Sequence, residues 1–237
     1  MSSILNPAVP AWLNLFRRAP IVDDTTCAWI RDVHAWAMAQ QDDLRPLDQA
    51  HLVMPIREHF PAQVQSPHEA AVATFAAIRR HAGLEAVPMQ LVPAGDGTRF
   101  PAVPSETEPL VLEYDPLLWT NRQALVAQLA RDLAGWWMYT RSRPAPAQAG
   151  NETHVAELIA VWMGFGIFMA NTAFISRVGG CGKCAGPAID RSASLGRPEI
   201  VYALACFCRD RKIAPGEARS FLEPPLKGLF RQALRLA

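Results

Sequence analysis

The sequence is poor in charge and has almost no excess of either sign. Of 237 residues, 19% are charged, and 23 Lys and Arg against 22 Asp and Glu leave a formal net charge of +1. That balance gives no electrostatic support to a nucleic-acid partner or an anionic membrane surface. Only the C-terminal stretch leans basic, with Arg209, Arg211, Lys212, Arg219, Lys227, Arg231 and Arg235 against Asp210, Glu217 and Glu223. A solvated helix face accounts for it. Cysteine is scarce too: five, an odd number, in a chain long enough to fold without covalent staples. Free thiols in a reducing cytoplasm are expected. The first twenty residues lack a basic start followed by a long apolar run, so no secretory signal is expected. Asn151-Glu152-Thr153 fits a glycosylation sequon, but in a cytoplasmic chain it reads as a helix start. Internal repeats and low-complexity blocks are missing as well.

What the chain does have is apolar mass: half its residues are hydrophobic. Val155 to Phe174, "VAELIAVWMGFGIFMANTAF", is long enough to cross a bilayer. Glu157, Asn171 and two glycines within it favour the central helix of a soluble, helix-rich domain instead. Thr25 to Gln40 reads as a helix with Trp29, Ile30, Val33, Trp36 and Ala37 on one face. "HLVM" at 51–54 reads as a short strand. A further helix is bounded by Ser66 as N-cap, Pro67 in the first turn, Glu69 closing a capping box, and Gly83 as terminator. "VPMQLVP" (87–93) and "PLVLEY" (109–114) read as strands flanking a turn-rich loop. Thr120 is expected to cap a long helix through Thr140, and a second long helix runs from about Thr153 to Phe174. Residues 177–196 read as a loop, and two helices close the chain. The expected fold class is α+β, mostly helical, a single domain with a short β-sheet packed on long helices.

"ARDLAGWW" (130–137) has the rhythm of a metalloprotease helix. In such a helix, histidines at i and i+4 share one face and aim their lone pairs at one zinc. A glutamate at i+1 activates the metal-bound water, and a later helix gives the third ligand. Three further segments extend the likeness: "AAIRRHAGLEAVPMQLVP" (76–93), "HVAELIAVWMGFGIFMANTAF" (154–174) and "IVYALACFCRDRKIAPGEARSFLEPPLKGLFRQALR" (200–235). With "ALVAQLARDLAGWWM" (124–138), they resemble a group of small bacterial proteins with a gluzincin-type metallopeptidase fold. The likeness runs from about Arg57 to the C-terminus and is most specific at "AVWMGFGIFMAN". It implies a gluzincin-like core over 51–237 with residues 1–50 as an N-terminal helical extension.

Carried over position by position, the resemblance places the first metal histidine on Arg131 and the second on Gly135. The catalytic glutamate falls on Asp132, and the acidic third ligand on Glu157, which is kept. Arginine offers no lone pair and glycine no side chain. One carboxylate does not make a catalytic zinc site, which takes three protein ligands. The site is therefore expected to be a degenerate one without catalytic residues. A buried Glu157 left without a cation would be costly. Arg131 is expected to pair with it in place of the metal, with Gly135 clearing room for the long side chain, and Asp132 or His154 could join the network.

The cysteines give a second candidate. Cys181 and Cys184 form a Cys-x-x-Cys knuckle, followed by Cys206 and Cys208, and four thiolates could hold a structural zinc. On a helix, however, Cys206 and Cys208 would point roughly 200° apart. No other cofactor is expected. His34, His51, His59, His68 and His81 show no mutual metal spacing and read as surface or capping residues. Trp136 and Trp137 are adjacent, so one of them is expected at a cleft or interface. These readings converge on a non-catalytic, cytoplasmic protein-binding protein. A concrete version is an immunity-type protein that neutralises a cognate toxin. The alternative is an enzyme or structural zinc protein, using Asp132, Glu157 and His154 as an acid–base set or zinc at the Cys181/Cys184 knuckle.

Overall fold

The computed structural model describes residues 20–40, 47–60, 66–95, 110–146, 150–177, 188–191 and 193–237. The fold is α+β and mostly helical. Helix α1 (Asp24–Met38) starts at Asp23, whose carboxylate accepts from Thr26 N–H at 2.9 Å. It buries Ile30, Val33 and Ala37, while the half-buried Trp29 and Trp36 donate their ring N–H groups to Pro146 O and Arg143 O, both at 3.3 Å. The expected N-terminal extension is thus tied, through α1, to the chain that follows the third helix. Helix α2 (Pro67–Ala82) forms where its local signals place it. Ser66 and Glu69 close a reciprocal capping box, Pro67 opens the first turn, and Gly83 ends the helix at φ 72°.

Strands β1 (Met89–Pro93) and β2 (Leu110–Tyr114) pair in parallel, Met89 opposite Leu110 through Pro93 opposite Tyr114. Along β2 the side chains of Leu110, Leu112 and Tyr114 turn inward and those of Val111 and Glu113 are less buried, the period-two pattern of a half-covered strand. Segment 51–54 is not a strand. Its Val53 N–H goes to Gly164 O at 2.9 Å instead, docking an extended segment onto a helix rather than a sheet.

Helix α3 (Arg122–Tyr139) begins one residue later than expected. Pro116–Thr120 form a 3₁₀ turn, which makes Asn121 the cap, accepting from Ala124 N–H at 3.1 Å. The long apolar run is broken into α4 (Glu152–Ala160), a π-type turn over Val161–Phe165, and α5 (Gly166–Thr172). The kink sits at Gly164, whose φ of 102° lies outside the reach of ordinary L-residues. Phe174 lies beyond the helix, in β3 (Phe174–Arg177), which pairs antiparallel with β4 (Ala188–Arg191). Part of the expected 177–196 loop is therefore the stem of a hairpin. Helices α6 (Arg197–Asp210), α7 (Pro215–Phe221) and α8 (Pro224–Leu236) follow, α7 being a short helix, opened by Pro215, that the sequence reading did not separate.

The segment Glu152–Thr172 is the only one among the described residues long and apolar enough to span a membrane. Most of it is buried inside the protein, which is compatible with a soluble protein whose central helix it forms. Trp162, Phe165 and Phe168 from this segment pack with Tyr202 and Phe207 of α6 and Phe230 of α8 in one apolar cluster. That cluster also takes in residues of α1, α2 and α3.

Candidate functional site

Helices α3 and α4 run side by side, and their shared face brings the degenerate metal positions together. Glu157, in the middle of α4, is fully buried. A lone carboxylate there would carry a desolvation cost of several kcal/mol. Three donors offset it. Arg131 Nε on α3 lies 3.2 Å from Oε1. The backbone N–H of Ser194 donates to Oε1 and that of Leu195 to Oε2, each at 2.8 Å. The Arg131 Nε–H is not aligned for a hydrogen bond, so its contribution is charge, while the two amides supply direction. Together they fasten the loop leading into α6 onto α4.

The pairing of Arg131 with Glu157 is the expected one. The two amides were not foreseen, because backbone donors leave no mark in a sequence. Gly135 has another role than the one expected. A Cβ there would meet only Ala156 Cβ, at 3.9 Å, an ordinary van der Waals distance. The glycine lies at the α3–α4 contact, and there is room for a methyl group. Gly135→Ala is therefore expected to stabilise the protein by up to about 1 kcal/mol through helix propensity alone. A loss of stability in a thermal melt would show that the helices cannot accept the methyl group.

Asp132 takes a hydrogen bond from Gln128 Nε2 at 3.4 Å. The same Gln128 amide group donates to Glu113 O at 3.1 Å, so this side of α3 faces β2. His154, one turn before Glu157, does not join the ion pair: its buried Nδ1 has no hydrogen-bond partner among the described residues. Instead it lines an open cleft of about 550 Å³, together with Thr25 and Trp29 of α1, Asn151, Ser194 and Glu199. The first turns of α1, α4 and α6 all border this cleft, which lies beside the Arg131–Glu157 pair because Ser194 and Leu195 belong to both.

Trp136 and Trp137 are both buried, at 8% and 3% exposure, so neither forms the expected exposed interface. Helix α3 is covered on more than one side, by α4 and α5 and also by α2, and successive residues can both point inward. Trp137 packs edge-on against Trp36, with ring centres 6.0 Å apart, and carries the Arg141 guanidinium over its face.

Of the proposed thiolate set, Cys181 and Cys184 lie outside the described residues. Cys206 and Cys208 both sit within α6, as the 200° argument required. Burial pushes the Cys206 thiol up to about 11 and the Cys208 thiol up to about 12. Both are protonated at neutral pH. Among the described residues no group of three or more His, Cys, Asp or Glu is arranged to hold a metal ion.

Sequence spacing also missed a histidine cluster. His51, His59 and His81 pack with ring centres 4.9 to 5.9 Å apart. The hydrogen bonds assign their tautomers. His81 Nε2 faces His59 O at 3.0 Å and must donate, which leaves its Nδ1 to accept from His51 Nε2 at 2.9 Å. His59 Nδ1 accepts from Met54 N–H at 2.8 Å. All three bonds suit neutral rings. Burial, despite the bond to His59 O, draws the His81 pKa from 6.5 down to about 4. Between those values the unfolded chain takes up a proton that the folded chain refuses. Stability is thus fully present above pH 6.5, falls as the pH drops, and levels off below about 4. The loss attributable to His81 is about 3 kcal/mol. Urea melts across this window are expected to show a shallower pH dependence for His81→Gln. Equal slopes for the two proteins would exclude His81 as the source.

No family model, curated protein or solved structure matches this chain. The gluzincin likeness is carried by the quoted motifs alone.

Proposed function

We propose that this is a non-catalytic, cytoplasmic protein-binding protein on a degenerate metallopeptidase-like site, with a toxin of its own cell as partner in the immunity-type version. The observation that carries the reading is the Arg131–Glu157 ion pair. A fixed guanidinium meets the one acidic position retained from the resemblance, and two backbone amides engage both oxygens of that carboxylate. Such a carboxylate secures a loop and is poorly placed to exchange protons in a reaction cycle. The cleft beside it supplies a recognition surface in place of a substrate channel. Trp29 in its wall is a residue type that contributes heavily to protein–protein binding.

The test co-expresses the tagged full chain with candidate toxins of the producing cell and scores both complex formation and growth. A stoichiometric complex that rescues growth, and is lost on Thr25→Arg in the cleft, supports the reading. Zinc-dependent peptide hydrolysis by the purified chain, with no toxin neutralised, overturns it.

A further inference from the structure

A second cavity, of about 330 Å³, shares no lining residue with the cleft beside Glu157. It lies between segment 55–60, α2, the first turn of α3, and α5. Its size falls in the lower part of the range for small-molecule sites. Phe60, Val126 and Phe168 give it an apolar interior, and the two phenyl rings meet edge-to-face with centres 5.6 Å apart.

The charged groups among the described residues around that interior are all cationic, beside the neutral Thr74 and Gln123. Arg57 and Arg122 both line the cavity, and among the described residues no Asp or Glu does. Neither guanidinium has a carboxylate partner among the described residues. Arg122 is held over the Trp119 ring, 5.4 Å from its centre. Gln123 Oε1 accepts from Asn171 Nδ2 at 2.9 Å, which commits the carbonyl end of its amide and leaves the NH₂ end to offer. Arg122 and Gln123 also occupy the first turn of the eighteen-residue α3, the positive end of its dipole. An apolar cavity whose only charged lining groups among the described residues are two guanidiniums selects a molecule with an apolar body and an anionic head.

We propose that this cavity binds a single-chain amphiphilic anion. Its apolar body packs against Phe60, Val126 and Phe168. Its head lies between Arg57 and Arg122, where guanidinium groups give charge-assisted, two-pronged hydrogen bonds. The site is independent of the reading given to Arg131 and Glu157.

Calorimetric titration of the full chain tests this with four probes: decanoate, decyl phosphate, decanol and acetate, each below its micelle concentration. One of the two amphiphilic anions is expected to bind one-to-one at least tenfold more tightly than decanol or acetate. The tighter of the two identifies the head group as carboxylate or phosphate. The exposed double substitution Arg57→Gln with Arg122→Gln is expected to weaken the anion at least tenfold and leave decanol unchanged. Ala73→Trp, which fills the cavity from α2, is expected to abolish binding. The proposal is overturned if neither anion binds, if decanol binds as tightly as the anions, or if the double arginine variant, folded by its melting curve, binds as the parent does.

Discussion

Replacing Glu157 by alanine is expected to remove about 4 kcal/mol of stability, a large part of what a domain of this size possesses. The substitution leaves two backbone amides without an acceptor and the Arg131 guanidinium without its counter-charge. Arg131 keeps a 22% exposed side chain and recovers part of its hydration, so its loss falls short of the 3–5 kcal/mol typical of a broken, fully buried pair. The N–H of the half-buried Ser194, at the open cleft, recovers part of its hydration, while that of the buried Leu195 does not, and an orphaned buried amide costs about 1–3 kcal/mol. Arg131→Met is expected to cost less, about 2 kcal/mol, because Glu157 retains both amide bonds. Because the pair is shared, the double substitution Arg131→Met with Glu157→Gln should cost less than the sum of its parts. Urea unfolding of the four proteins measures this directly. Additivity, together with an Arg131→Met protein as stable as the parent, would mean that the guanidinium does not serve Glu157. Added salt should change the coupling little, since buried charges are weakly screened.

The contrast among these partners explains what could be read from the sequence. The Arg131–Glu157 contact was legible because a buried acid requires a cation, and the resemblance to a metallopeptidase helix named the candidate. The Ser194 and Leu195 amides were invisible, since every residue but proline carries the same donor. The same division holds across the fold. Helix α2 was legible to the residue because Ser66, Pro67, Glu69 and Gly83 all act within a few positions of one another. The start of α3 was missed by one residue, where Thr120 and Asn121 are both competent caps and the 3₁₀ turn before them decided between them. The histidine cluster joins positions 51, 59 and 81 through a fold whose path no motif spacing encodes. Trp136 and Trp137 were misjudged because an amphipathic helix was assumed, and α3 is covered on more than one side.

Gly164→Ala is expected to be strongly disruptive, costing more than about 4 kcal/mol and lowering the melting temperature sharply. Two independent effects act together. At φ 102° any L-residue with a Cβ is strained, at a cost of about 1–3 kcal/mol. The added methyl group would also clash with the carbonyl oxygen of His51, a backbone atom that no side-chain rotation can move aside. Relief would require segment 51–54 to withdraw, which would break the Val53 N–H bond to Gly164 O. Withdrawal would also expose Leu52 and Val53, both buried, and loosen the neighbouring His51–His81 contact. Gly135→Ala, the same change on the adjoining helix, supplies the control, since that methyl group has room. Thermal melts of the two variants should therefore move in opposite directions. A Gly164→Ala protein melting within a few degrees of the parent would show that the kink at Gly164 is not needed to seat the 51–54 segment.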